Sequence, residues 1–342
     1  MATYAGVGIH LDDAKRTKAR VGELVARTRG TGVLADVGAF GGMFRLGAAG
    51  AFRDPVLVAS TDGIGTKVKI AAALGRYDSL GADIVNHCLN DIAVQGARPL
   101  FFLDYLALHR ADAEVVAALV GGIAAACEAA GCSLLGGETA EMPDVYPPGE
   151  FDVAGFIVGV LDRSEIGANG QPQAGDVLLG LPSHGLHTNG YSLARRVLPS
   201  AIWDTFDAEL GMTVGDALLA PHRSYLREIQ ALIGAGARAF AHITGGGHMD
   251  NIDRILPSDL AADIDTGAWD VPAIFRGIAA AGATPALEMY RVFNMGIGLV
   301  AILPADRVNE ALAAVAGAIV IGEVVPRGEE DAPQVRLLGL GG

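Results

Sequence analysis

A metal-bound polyphosphate is held by carboxylate oxygens, by backbone amides that can come close to an anion, and by a fixed positive charge. The stretch Ser60-Thr61-Asp62-Gly63-Ile64-Gly65-Thr66-Lys67 offers all three within a few residues. Asp62 can ligate a divalent cation through hard oxygen. Gly63 and Gly65 let amides approach phosphate, Thr66 adds a hydroxyl, and Lys67 can neutralise charge. The plain alternative is a tight turn with a solvated Asp and Lys. Other segments must decide between the two.

Further acids appear in comparable settings. Ile84, Val85, Cys88, Leu89 and Ile92 recur at helical spacing, while Asp83, His87 and Asp91 lie at i, i+4 and i+8 on a different face. Asp91 is thus a second carboxylate that can join Asp62 on one cation, or else a solvated surface acid. Glu138 and Glu141 follow a glycine pair in Gly136-Gly137-Glu138-Thr139-Ala140-Glu141-Met142-Pro143. Three acids at strand or helix ends are what a magnesium-nucleotide site requires. In the second half, Ser183-His184-Gly185-Leu186-His187-Thr188-Asn189-Gly190 and His242-Ile243-Thr244-Gly245-Gly246-Gly247 each join a strand to a helix. Both supply amides with hydroxyl, imidazole or carboxamide groups for a polar ligand, and either can be no more than a helix cap.

These segments need elements to carry them. Val56-Leu57-Val58-Ala59 reads as a buried strand delivering the Ser60–Lys67 loop. Leu100 to Leu108, Cys132 to Leu135 and Phe151 to Leu161 read as further strands, with an amphipathic helix from Val115 to Cys127 closed by Gly131. Val21, Leu24 and Val25 mark a surface helix within residues 1–30. Gly38-Ala39-Phe40-Gly41-Gly42-Met43-Phe44 is a flap, a phosphate-approaching loop or a simple bend. The turn-rich Asp162 to Asp176 separates two domains, expected at 1–165 and 170–342. The second holds strands Val177 to Leu181, Leu299 to Leu303 and Ala318 to Val325 and a helix over 306–316, and Arg327 to Gly342 is expected to be partly frayed. The fold class is α+β, with two mixed sheet-and-helix domains.

At 342 residues, two packed cores are expected. A net charge of -14 opposes a broad nucleic-acid or anionic-membrane surface, while a small anionic substrate stays open if metal and local cations screen it. The longest apolar helix, Val115 to Cys127, is too short to span a bilayer, and Met1-Ala2-Thr3-Tyr4 opens no secretory signal, so the cytoplasm is expected. Cys88, Cys127 and Cys132 make no CxxC pair and read as reduced core residues. Walker and dinucleotide fingerprints are both absent, so a nucleotide site here is of another design.

Asp62-Gly-Ile-Gly-Thr-Lys67, Asn90-Asp91-Ile-Ala-Val-Gln-Gly96, Gly136-Gly-Glu-Thr-Ala-Glu-Met-Pro143, His187-Thr-Asn-Gly-Tyr-Ser-Leu193, His242-Ile-Thr-Gly-Gly-Gly247 and Phe293-Asn-Met-Gly-Ile-Gly298 together resemble the phosphoribosylformylglycinamidine cyclo-ligase family, also called aminoimidazole ribonucleotide synthetase. The likeness runs from Tyr4-Ala5-Gly6-Val7 to Ile321-Gly322-Glu323-Val324 in the family's motif order. It implies N-terminal domains that pair in a homodimer to form a shared β-barrel, with nucleotide in the cleft. It also implies ATP-dependent cyclisation of formylglycinamidine ribonucleotide to aminoimidazole ribonucleotide, ADP and phosphate in purine biosynthesis.

On that resemblance Asp62, Asp91 and Glu138 are expected to hold Mg2+, with Gly63, Gly65, Thr66 and Lys67 on ATP; a monovalent cation is a further option. His187 and Asn189 are expected at the reacting oxygen or in proton transfer, with Lys67 assisting. Thr188, Gly245, Gly246, Gly247 and Asn294 are expected to face the ribonucleotide, the glycines at its 5′-phosphate. Three departures touch fine positioning: Gly22, Ala26 and Arg27 where the family carries lysines, His248 where it has an aromatic, and Met295 where cysteine is common. Sister ATP-using enzymes such as selenophosphate synthetase or thiamine-monophosphate kinase are the nearest rival reading. Selenophosphate synthetase would want a reactive cysteine in the 38–44 loop, which has none. A nucleotide-binding regulator without turnover predicts a missing acid among Asp62, Asp91 and Glu138, and all three are present.

Overall fold

The computed structural model describes residues 20–35, 41–329 and 331–340. The chain divides into two compact units, residues 1–92 with 97–161 and residues 93–96 with 162–342. The first contains a helix described over residues 20–27 (α1), then β1 (Pro55–Gly63), α2 (Lys67–Leu74), α3 (Asp78–Ala93), β2 (Arg98–Leu108), α4 (Ala113–Ala130), β3 (Ser133–Glu141) and β4 (Phe151–Asp162). The second contains β5 (Val177–Pro182), α5 (Tyr191–Val197), β6 (Phe206–Asp207), β7 (Met212–Thr213), α6 (Val214–Leu219), α7 (Leu226–Gly234), β8 (Ala239–His242), α8 (Gly247–Asp253), β9 (Leu260–Asp265), α9 (Ala273–Gly282), α10 (Ala286–Val292), β10 (Ile297–Leu303), α11 (Val308–Ala314), β11 (Ile319–Pro326) and β12 (Val335–Leu338).

The first sheet has the order β1-β4-β2-β3, with β2 antiparallel to β4 and parallel to β3. Alternation along β2 and β4 buries Leu100, Phe102, Leu106, Val153 and Ile157. Ile84 and Cys88 of α3 meet Gly155 of β4 on this covered side, which fixes α3 against the sheet. Leu57 of β1 and Phe156 of β4 remain 60% and 44% exposed. This sheet therefore has one packed face and one that is open and apolar.

Two strands extend beyond their expected ends. β1 does not stop at Ala59 but continues to Gly63, so Asp62 lies on a strand and the loop proper is only Ile64 to Thr66. β3 runs through the glycine pair to Glu141. The glycines serve packing here: a β-carbon on Gly137 would lie 2.2 Å from the carboxylate of Asp104 on the neighbouring strand. Asp104 is buried, and burial raises its pKa to about 7.

α4 begins where Asp112 accepts bonds from the amides of Glu114 and Val115 at 2.9 and 3.2 Å, and it ends at Gly131 with φ 66°. By length and composition alone it could cross a bilayer, contrary to the expectation that no segment is long enough. Val116, Leu119, Val120, Ile123 and Cys127 are buried in the first unit and give it the packing of a core helix.

The second sheet has the order β12-β9-β11-β5-β10-β8. Every residue of β10 is buried, as befits an interior strand covered on both faces. Leu179, Leu181, Leu299, Ala301 and Leu303 pack with Tyr225, Ile229 and Leu232 of the α7 region and with Ala311. Each fully buried leucine contributes about 1.5–3 kcal/mol. The expectation of a frayed terminus needs correcting at 335–338, where β12 pairs in parallel with β9 and Val335 is buried.

Candidate active site

Two clusters of polar groups coincide with the chemistry-bearing motifs, one in each unit. In the first, period-2 alternation puts Ser60 and Asp62 on the same side of β1, and α3 presents Asp83, His87 and Asp91 at one-turn intervals. Ser60 Oγ lies 3.3 Å from Asp62 Oδ2 and 3.1 Å from Asp91 Oδ2, so one hydroxyl proton serves two carboxylates. His87 Nε2 stands 3.6 Å from Asp62 Oδ1. Burial raises the Asp62 pKa to about 7, aided by hydrogen bonding and charge repulsion from Asp91, with Ser60 opposing. Two acids held together against their repulsion form a hard-oxygen donor set, which a small divalent cation fits.

Lys67 departs from its expected role on phosphate. It is fully buried at the start of α2, and its ammonium lies 2.9 and 2.8 Å from the two carboxylate oxygens of Asp83, which is equally buried. Burial lowers its pKa, and Asp83 works in the opposite direction. An ammonium enclosed in this way fixes α2 to α3 and is not presented to a ligand. Gly65 has φ 65° and Thr66 precedes α2. The structure does not bring Glu138 to the Asp62–Asp91 pair: β1 and β3 are opposite edges of the sheet, three strand spacings or roughly 14 Å apart. Glu138 is exposed. Of the 38–44 flap, residues 38–40 lie outside the described residues, while Phe44 bridges to Val33 and packs on Phe101. The thiols of Cys88 and Cys127 are buried and pushed above their ordinary range, Cys88 by burial and Cys127 first by its hydrogen bond with Cys132, which agrees with a core role.

In the second unit, topology gathers the loops. β10 lies between β5 and β8 and runs antiparallel to both, with Ile297 opposite Pro182 and Leu299 opposite His242. The segments after β5, after β8 and before β10 therefore emerge at the same end of the sheet. A β-carbon on Gly245 would lie 3.3 Å from Asn189 Oδ1, so the first two loops touch. Gly247 has φ 60°, and a β-carbon there would stand 1.9 Å from the Tyr290 carbonyl oxygen; glycine is the residue this turn admits. Asn251, one turn into α8, donates to the Gly247 and Gly245 carbonyls at 2.7 and 3.2 Å and holds the turn open.

His187 is fully buried with φ 60°, unusual for a residue with a side chain. The His184 amide donates to its Nε2 at 3.1 Å. A nitrogen that accepts carries no proton, so neutral His187 holds its proton on Nδ1. Its ring stacks on His222 at 4.0 Å. Thr188 is buried, with Oγ 3.3 Å from His222 Nδ1. The expectation that Asn294 faces a ligand does not hold. Asn294 is 3% exposed; its amide donates to the Gly185 carbonyl at 2.9 Å, and its oxygen accepts from Ser183 Oγ and the Gly296 amide, both at 2.9 Å. It positions the 183–187 loop.

The sequence places Ser60 in the Asp62 motif and Asp83 on the face of His87 and Asp91, without indicating that Ser60 bridges two acids or that Asp83 encloses Lys67, and it gives no role to Asn251 or His222. Nothing local to Pro221-His222 signals its packing on a loop 35 residues earlier.

Two family models match the chain: AIR synthase related protein, N-terminal domain, over residues 47–161, and AIR synthase related protein, C-terminal domain, over residues 173–333. Fold and motif clusters are thus those of the AIR synthase related class. Relatives named phosphoribosylformylglycinamidine cyclo-ligase include one from Alkaliphilus oremlandii (strain OhILAs), 46% identical over 98% of this chain and 99% of its own. Another, from Sorangium cellulosum (strain So ce56), is 47% identical over 96% of each chain. The chain belongs to the phosphoribosylformylglycinamidine cyclo-ligase family, ligases of purine biosynthesis. Among solved structures it is similar to thiamine-monophosphate kinase from Stenotrophomonas maltophilia K279a, with TM-score 0.65 and 19% identity over 94% of this chain and 96% of that one. It is likewise similar to the hydrogenase maturation protein HypE in complex with ATP, with TM-score 0.65 and 16% identity over 93% and 90% of the two chains. At these identities the likeness is one of fold.

Proposed function

We propose that this chain cyclises formylglycinamidine ribonucleotide to 5-aminoimidazole ribonucleotide with conversion of ATP to ADP and phosphate, in the cytoplasm. The γ-phosphoryl group is transferred to the formyl oxygen, which is otherwise a poor leaving group. The amidine nitrogen then attacks the same carbon: a C–N bond forms, the C–O bond breaks, phosphate departs with that oxygen, and the nitrogen loses a proton. Such a reaction is accelerated mainly by positioning and by stabilisation of charge.

The carrying observation is the Asp62–Asp91 pair, two acids bridged by Ser60 with the Asp62 pKa raised to about 7. On this reading Asp62 and Asp91 hold Mg2+, which supplies charge neutralisation at the ATP phosphates, and the amides at Gly63 and Gly65 approach those phosphates. In the second unit, on the same reading, His187, buried in this structure with its proton on Nδ1, donates toward the reacting oxygen once the 183–190 turn opens to substrate, and Asn189 orients that oxygen. Thr188 supports that turn, and the amides at Gly245, Gly246 and Gly247 receive the substrate's 5′-phosphate. Lys67 and Asn294 keep these loops in place.

The open edges and open face of the first sheet support a homodimer. Pairing β1 of one copy with β3 of the other makes an eight-stranded barrel, covers Leu57 and Phe156, and delivers the partner subunit's Glu138 toward Asp62. The test is ADP release with Mg-ATP, with and without formylglycinamidine ribonucleotide, alongside mass detection of aminoimidazole ribonucleotide. One-to-one ADP and product support the reading; turnover only with another acceptor assigns a sister activity. Leu57→Glu is expected to shift the molar mass from dimer to monomer in light scattering, and an unchanged mass would remove the barrel.

A further inference from the structure

We propose that His222 is a positioning residue for the reaction: it clamps the face of the His187 ring and ties the 187–190 turn to the end of β8. The inference rests on the role given to His187 under the proposed function, but its geometry stands independently.

His222 follows Pro221 in the connection between α6 and α7 and is 1% exposed. Its Nδ1 is 3.3 Å from Thr188 Oγ, and its Nε2 is 2.9 Å from His242 Nε2. Both ring nitrogens are therefore engaged, one on each of the two loops that carry the candidate substrate groups. In the His222–His242 contact one nitrogen donates and the other accepts, which ties the tautomers of the two rings together. The His187 and His222 rings are nearly parallel, 18° apart with centroids 4.0 Å distant.

Stacking also decides between two uses of this cluster. His187, His222 and His242 bring nitrogens within 4.8 Å of one another, a spacing that on its own suits a transition-metal site. Imidazole ligands bind through lone pairs in the ring plane. Two nearly parallel rings about 4 Å apart aim those lone pairs along separate planes, and the pairs do not converge on one ion. The arrangement suits holding a ring still.

The His187 backbone is in the left-handed region, so its ring is delivered by a strained turn. One edge is set by the His184 amide and one face by His222. A displacement of about 1 Å at a reacting group costs roughly 100-fold in rate.

The experiment compares wild type with His222→Ala, His222→Phe and His222→Gln. Phenylalanine keeps a ring to stack, glutamine keeps hydrogen-bonding groups, and both preserve volume if alanine fails to fold. For His222→Ala, kcat for product formation is expected to fall by about 10- to 100-fold, with a change in KM for ATP smaller than the change in kcat. Phenylalanine and glutamine are each expected to recover part of kcat. Long-range 1H–15N spectra of the imidazoles, recorded without substrate, are expected to show the His187 ring signals moved in His222→Ala and closer to wild type in His222→Phe. Unchanged kcat with unmoved His187 signals, or a loss confined to KM for ATP, overturns the proposal. Were the wild type to give no cyclo-ligase turnover, the proposed reaction would fail and the ring spectra alone would decide the clamp: moved signals uphold it and unmoved signals refute it.

Discussion

The two units present polar groups by opposite means. In the first, formal charges are set against one another: Asp62 beside Asp91, and Lys67 buried against Asp83. In the second, neutral imidazoles, carboxamides and bare glycine backbone are held by hydrogen bonds and stacking, as in His222 on His187 and Asn251 on Gly247. A site for metal and polyphosphate needs charge that the ligand will neutralise. A site for a neutral reacting oxygen needs directed donors whose geometry survives without the ligand. The first unit should therefore respond to cations and the second to changes of shape.

The sharpest break would come at the buried pair. Lys67→Ala leaves the Asp83 carboxylate uncompensated inside the first unit and is expected to cost about 3–5 kcal/mol, read by urea denaturation. A loss below about 1 kcal/mol would show that the pair is not the clamp between α2 and α3.

Cation response is next in size. Wild type at 100 times its Mg2+ dissociation constant should gain about 2.7 kcal/mol from binding, seen as a raised melting temperature, and Asp62→Asn should lose most of that gain. Magnesium needs the ionised carboxylates, so its affinity should rise as pH increases through about 7, where Asp62 loses its proton. Equal magnesium stabilisation in Asp62→Asn would place the cation elsewhere.

In the second unit the pKa shift has the opposite direction. His248 is fully buried among Trp269 and Tyr290, and burial lowers its pKa to about 4 from 6.5. The folded state resists the proton that the unfolded chain accepts, so stability is full above pH 6.5 and is lost as pH falls toward 4. By pH 5 this amounts to about 2 kcal/mol. His248→Phe should flatten that part of the profile, and an unchanged slope between pH 7 and 5 would assign it to other groups. The smallest effect is expected for Ser60→Ala: about 1 kcal/mol or less in stability, and a magnesium affinity weakened a few-fold. An unaltered affinity would mean that the two acids meet without their bridge.

Much was already legible in the chain. The acids of the Asp62, Asp91 and Glu138 motifs, the turn chemistry around His187 and Gly245–Gly247, the cap of α4 at Gly131 and the apolar run of β10 are local statements, carried by residue type and spacing over one or two turns of helix or a few strand residues. Fold class and family followed from them. Extending β1 through Asp62 and β3 through its glycines required knowing the neighbouring strand, because Gly137 is explained by Asp104 across the ladder and not by its own sequence.

Tertiary structure alone decided which polar groups meet. A lysine in a glycine loop reads as a phosphate ligand until Asp83 encloses it, and Asn294 reads as a ligand contact until Ser183 and Gly185 take up its carboxamide. Glu138 falls on the far edge of the sheet from Asp62, and His222 reaches His187 from another connection. The physical reason is common to all four. Periodicity and residue type determine which side of an element a group occupies, whereas burial, partner and proton position depend on segments brought together by packing of the two cores.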